Sequence, residues 1–167
     1  MKVVKGGTVS GLLRDVPIPP MFRARQTFPR ERIEPGQIPE AVWAEMSKPE
    51  FDGKIQPGMK IAITAGSRGI RNVDVITKAI VDYVKGKKAD PFIVPAMGSH
   101  GGATAEGQVE LLESFGITEE AMGCPIKSSM EVVELGYSEL GRRVVLDKNA
   151  YESDGIIVSC RDRKSVV

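Results

Sequence analysis

The chain has 167 residues, 41% of them hydrophobic and 27% charged, which is ordinary for a globular protein and enough for one domain with a buried core. A formal net charge of +1 gives no overall field for nucleic acid or an anionic membrane, so neither is an expected partner. No apolar run approaches the roughly 18 residues of a membrane span, and the start, Met1-Lys2-Val3-Val4-Lys5-Gly6, carries no secretory signature.

The first 37 residues read as irregular, punctuated by Pro17, Pro19, Pro20, Pro29 and Pro35. Arg14, Arg23, Arg25, Arg30 and Arg32 lie among them, but Glu31 and Glu34 interrupt the charge and no aromatic ladder accompanies it. A strand-and-loop segment packed on the domain is therefore preferred to a nucleic-acid arm. A short helix follows, with Pro39 at a first helical position and Pro49 closing the segment beyond Met46. After the turn at Pro57-Gly58, Lys60 to Ala65 reads as a buried strand.

The loop Gly66-Ser67-Arg68-Gly69-Ile70-Arg71 leads to a helix. Asn72 is placed as its N-cap, Asp74 stands in the first turn, and Ile76, Ala79, Ile80, Tyr83 and Val84 follow at helical spacing. Gly86 and the lysines after it are expected to end that helix. The unit then repeats. Pro91 to Met97 reads as a strand, Gly98-Ser99-His100-Gly101-Gly102 as a loop, and Thr104 as the cap of a helix carrying Val109, Leu111, Leu112 and Phe115. Strand, loop, helix, twice over, predicts a parallel α/β sheet. Met130 to Tyr137 and Arg142 to Leu146 read as shorter strands, and Gly155 to Ser159 as a further buried one.

In parallel sheets ligands bind beyond the carboxyl ends of the strands, where both glycine-containing loops are expected. Free backbone N–H groups at helix starts favour an anionic group, and glycine lets it approach closely. Arg68 adds a guanidinium fork suited to carboxylate or phosphate. The first loop is neither the dinucleotide fingerprint nor the P-loop. His100 sits among glycines that offer little packing for a core histidine, and imidazole suits proton transfer near pH 7. Glu106 reads as macrodipole compensation. Cys124 and Cys160 form no C-x-x-C pair, so neither a zinc site nor a disulfide framework is expected, and a reduced, cytoplasmic setting follows.

Ile61-Ala62-Ile63-Thr64-Ala65-Gly66-Ser67-Arg68-Gly69-Ile70, followed by Met97-Gly98-Ser99-His100-Gly101-Gly102-Ala103-Thr104-Ala105-Glu106, resembles the N-terminal domain of the lactate racemase family, the nickel-pincer-nucleotide-dependent isomerases. The similarity runs over about Gly58 to Ser159. It implies a Rossmann-like parallel-sheet domain with helices on both faces. It also implies a reaction in which a hydride leaves C2 of a 2-hydroxy acid for the nickel pincer nucleotide while a histidine takes the hydroxyl proton, and then returns on the other face. His100 matches the first catalytic histidine. Arg68 matches the arginine that helps hold the anionic ligand, and Ser67 the small hydroxyl residue beside it. Gly69, Gly98, Ser99, Gly101, Gly102 and Thr104 fall within the matching cofactor- and substrate-binding loops.

One departure bears on the substrate. The lactate-specific motif begins with aspartate and has proline after the arginine, whereas Ala65 and Gly66 precede Ser67 here and Gly69 follows Arg68. The departure argues against lactate as the substrate and leaves a racemase or epimerase of 2-hydroxy acids as the expected class. The family's second catalytic histidine, tethering lysine and nickel-ligating histidine would lie after Ser159, and His100 is the chain's only histidine. Residues 160–167 read as a non-native tail. Asp162 to Val167 is the in-frame translation of GATCGGAAGAGCGTCGTG, the start of a common sequencing adapter.

The expected organisation is thus residues 1–57 packing on the domain, a core over 58–159 that is incomplete at its C-terminus, and the tail. Such a fragment is expected neither to retain the nickel cofactor nor to turn over substrate, its missing partner being the C-terminal part of its own chain. The alternative is a non-catalytic α/β module that binds a carboxylate or phosphate through the same loops.

Overall fold

A computed structural model describes residues 32–67 and 69–160, together with Gly11, Asp15, Pro17, residues 22–25 and Thr27. The chain divides after Arg32 into two units, and the second, beginning at Ile33, holds the sheet. Of the arginines in the first segment, Arg14 and Arg30 lie outside the described residues, and Arg23 and Arg25 are exposed. Of the expected tail, residues 160–167, only Cys160 is among the described residues.

The second unit is a mixed α/β structure around a small parallel sheet. A 3-10 turn at Pro35–Gln37 runs into helix α1, Ile38–Met46, with Pro39 in its first turn. Strand β1 is Lys60–Ala65, helix α2 Val73–Gly86, strand β2 Asp90–Pro95 and helix α3 Ala105–Glu113. A one-turn helix α4, Glu119–Met122, precedes the antiparallel hairpin of β3, Val132–Tyr137, and β4, Arg143–Asp147. Helix α5, Lys148–Tyr151, and strand β5, Gly155–Ile157, complete the described fold. The sheet order is β2-β1-β5, all parallel.

Alternation along the strands explains the two-sided core. Ile61, Ile63 and Ala65 of β1 share one cluster with Ile93 of β2, with Ile80, Val81 and Val84 of α2, and with Leu112 of α3. Ala62 faces the other way and packs with Phe92, Val94 and Ala150 of α5. The helical spacing in α2 buries Ala79, Ile80, Tyr83 and Val84 as expected. At Pro57-Gly58 the chain makes a type II turn, with Gly58 at φ +83° and Met59 N–H donating to Gln56 C=O at 3.2 Å. That turn sets the start of β1.

Helix α2 ends at Gly86 and the lysines after it, as expected, with Lys88, at φ 60°, taking the left-handed position. The reason for glycine lies in α1, since a Cβ at Gly86 would stand 2.8 Å from Trp43 Cη2. Trp43 meets Tyr83 edge-on, with centroids 5.0 Å apart, and the Tyr83 hydroxyl donates to Met46 C=O at 2.7 Å. Two local expectations are corrected, the cap at Asn72 and the burial of the last strand. Asn72 occupies the N-cap of α2, but in the left-handed conformation, and its side chain makes no capping bond. Asparagine tolerates that backbone better than most residues.

The last strand, expected to be buried over Gly155 to Ser159, ends at Ile157 and is half exposed, with Ile156 40% and Val158 71% accessible. Among the described residues it pairs on one side only, with β1. The other edge of the sheet is extended by an isolated parallel bridge from Ile126 to Ile93, held by Ile93 N–H to Pro125 C=O and Lys127 N–H to Ile93 C=O. Among the described residues no helix is long and apolar enough to cross a membrane.

Candidate functional site

Because β1 and β2 run parallel in register from Lys60↔Asp90 to Ala65↔Pro95, their carboxyl ends release two loops side by side. The pairing continues one residue further, with Ala96 N–H donating to Ala65 C=O at 2.8 Å. The end of β5 joins this edge. Thr64 Oγ1 accepts from Ser159 N–H at 2.9 Å, so three chain crossings meet at one rim of the sheet.

Ser67 leaves β1 two residues after its end, and His100 leaves β2 five residues after its end. Their side chains meet across the loops, with Ser67 Oγ 2.6 Å from His100 Nδ1. Both are half-buried. Which of the two supplies the proton depends on the imidazole tautomer. Among the described residues nothing hydrogen-bonds Nε2, and Nδ1 is the ring nitrogen that is engaged.

The His100 loop is held from behind. His100 N–H donates to Met97 C=O at 3.3 Å, and Gly101–Ala103 forms a 3-10 turn. Gly98, Gly101 and Gly102 all have positive φ, at 61°, 63° and 68°, which explains the glycines there. Space around them differs. A Cβ at Gly98 or Gly102 would meet nothing within 4 Å, whereas one at Gly101 would stand 2.5 Å from the Gly107 carbonyl. The loop is thus open on the Gly98 and Gly102 side and closed against α3 at Gly101. Thr104 caps α3 as expected, its Oγ1 accepting from Gly107 N–H at 3.1 Å.

The remaining candidates are distributed around this pair. Ser99 is exposed in the His100 loop, and Gly69 is exposed in the Ser67 loop at φ 49°. Arg71 and Glu106 are exposed at the starts of α2 and α3. Arg68 lies outside the described residues. One polar residue that the sequence pattern did not single out is Gln108, 5% exposed, whose amide reaches the same loop. Its position within an amphipathic helix gave no sign of this. Among the described residues no three His, Cys, Asp or Glu side chains gather as a metal-binding group.

Comparison of the chain with protein-family models, with curated proteins and with solved structures gives no match. What fold and site define is a mixed α/β domain with a serine–histidine pair bridging two adjacent strand-to-helix loops.

Proposed function

We propose that this chain is the N-terminal, cofactor-cradling part of a 2-hydroxyacid racemase or epimerase of the nickel-pincer type, built on a Rossmann-like domain and working in a reduced, cytoplasmic setting. The observation that carries this reading is the 2.6 Å contact between Ser67 Oγ and His100 Nδ1. It brings together the two loops on which the family resemblance rests.

The chemistry follows from the contact. A histidine that takes a hydroxyl proton needs an unprotonated nitrogen facing the substrate. If Nδ1–H donates to Ser67 Oγ, Nε2 carries the lone pair and can act as base. Ser67 then positions His100 and selects its tautomer. A Cβ at Gly98 or Gly102 would meet open space, so a ligand can lie against the loop backbone at those positions. Arg68, in the neighbouring loop, is assigned to the substrate carboxylate or the cofactor phosphate on its chemistry alone.

The nickel pincer nucleotide, when bound, supplies the hydride acceptor at C2. The Ser67–His100 pair supports the proton-transfer half of this chemistry. The resemblance assigns the nickel ligand, the tethering lysine and the second histidine to sequence following Ser159, so no step is routed through nickel on these residues.

The test uses the polypeptide extended past Ser159 and coproduced with the cofactor-making enzymes. Nickel content and C2 epimerisation are measured across a panel of 2-hydroxy acids, with His100→Ala alongside. Bound nickel, with turnover abolished in His100→Ala, is expected. A folded protein with neither nickel nor turnover, yet binding a carboxylate or phosphate, would instead make this domain a binding module.

A further inference from the structure

We infer that Gln108 is a positioning residue for His100, its buried amide clamping the loop that carries the imidazole to Ser67. The inference rests on the reading of the Ser67–His100 pair as a proton-transfer site. Gln108 lies near the start of α3, where its side chain has the length to turn outward to water. It is instead buried, and Nε2 donates inward to Gly98 C=O at 2.9 Å and to His100 C=O at 3.4 Å. Those carbonyls belong to the peptide units on either side of Ser99 and His100. Fixing both holds the backbone from which the imidazole projects and leaves its direction to two side-chain torsions.

The residue type fits the task. Gly98, Gly101 and Gly102 make the loop conformationally permissive, so its geometry must be imposed from outside. A carboxamide has two N–H donors to offer two carbonyls. A carboxylate at the same place would have only acceptors and would face those oxygens with a charge. The clamp is registered by the close approach of Gly101 to Gly107, the residue before Gln108. A Cβ at Gly101 would stand 2.5 Å from the Gly107 carbonyl carbon and 2.6 Å from Gln108 N. Thr104 ties the same turn together, accepting from Gln108 N–H through its carbonyl at 3.1 Å.

His100 is the only histidine, so nitrogen NMR of the 167-residue chain labelled with ¹⁵N-histidine reads its tautomer without assignment. The variants are Gln108→Met, which keeps length without donors, and Ser67→Ala. In the unsubstituted chain, Nδ1 is expected in the protonated range and Nε2 in the unprotonated range at neutral pH. Both variants are expected to shift the two resonances toward the averaged values of free imidazole, while the backbone amide spectrum of β1 and β2 is kept.

If Ser67→Ala shifts the signals and Gln108→Met leaves them unchanged, the clamp is refuted and the pair survives. Signals unmoved by Ser67→Ala refute the pair itself. Should Gln108→Met unfold, Gln108→Glu is read in its place. Loss of the fold with both substitutions overturns the proposal, since Gln108 is then structural only.

Discussion

The contact of Gly101 with Gly107 makes a quantitative prediction when Gly101→Ala is compared with Gly98→Ala. Both glycines have nearly the same positive φ, 63° and 61°. Each alanine therefore bears about 1–2 kcal/mol of left-handed strain, offset by about 0.4–1 kcal/mol from a less flexible unfolded chain. The surroundings differ. The new methyl at Gly98 meets nothing within 4 Å, while that at Gly101 stands 2.5 Å from Gly107 C and O and 2.6 Å from Gln108 N.

These are backbone atoms, which yield only if α3 or the loop moves, and overpacking of this kind costs about 1–3 kcal/mol. Backbone strain cancels in the comparison. Gly101→Ala should thus be less stable than Gly98→Ala by about 1–3 kcal/mol in urea unfolding. At about 2–4 °C per kcal/mol for a chain of this length, the melting points should differ by roughly 2–12 °C. If the loop instead swings away to relieve the clash, the loss should appear in the His100 imidazole signals. Equal behaviour of the two variants in both readouts would falsify the close approach.

Other substitutions probe the frame around the site. Thr64→Val removes the acceptor for Ser159 N–H and should cost about 1–2 kcal/mol, seen locally as faster amide exchange at Ser159; unchanged exchange there would contradict the tie between β1 and β5. Tyr83→Phe leaves the Met46 carbonyl without its 2.7 Å donor and should lower stability by a similar amount, about 1–2 kcal/mol; no measurable shift of the urea midpoint would mean that water replaces the bond freely. Burial raises the pKa of the Cys124 thiol, whereas Cys160 is exposed. A disulfide reagent near pH 8 should therefore label Cys160 quickly and Cys124 slowly until urea is added; equal rates in the folded chain would contradict the buried position.

Where apolar runs and helical spacing agreed, the sequence was enough to read the elements. The apolar stretches beginning at Ile61 and Phe92 have the composition of buried strands, and the Thr104 cap is local chemistry. What escaped it depended on residues distant in the chain. Gly86 was legible as the helix end, but its packing was not, because the indole of Trp43, which a Cβ there would approach to 2.8 Å, arrives from α1. Gln108 was not singled out because its partners, the Gly98 and His100 carbonyls, are set by a loop whose path no periodicity encodes. The hairpin of β3 and β4 was visible as two strands but not as a pair. Ser67 and His100 were each picked out singly, and their contact depends on the in-register pairing of β1 with β2.

The most direct test of the isomerase reading is the fate of a deuterium at C2 of the substrate. The extended, nickel-loaded polypeptide is given the C2-deuterated 2-hydroxy acid in ordinary water, with His100→Ala in parallel. Deuterium retained in both enantiomers, with turnover lost in His100→Ala, is the result predicted for hydride return at C2 with His100 handling the hydroxyl proton. Deuterium lost to solvent, or turnover indifferent to His100, would contradict it.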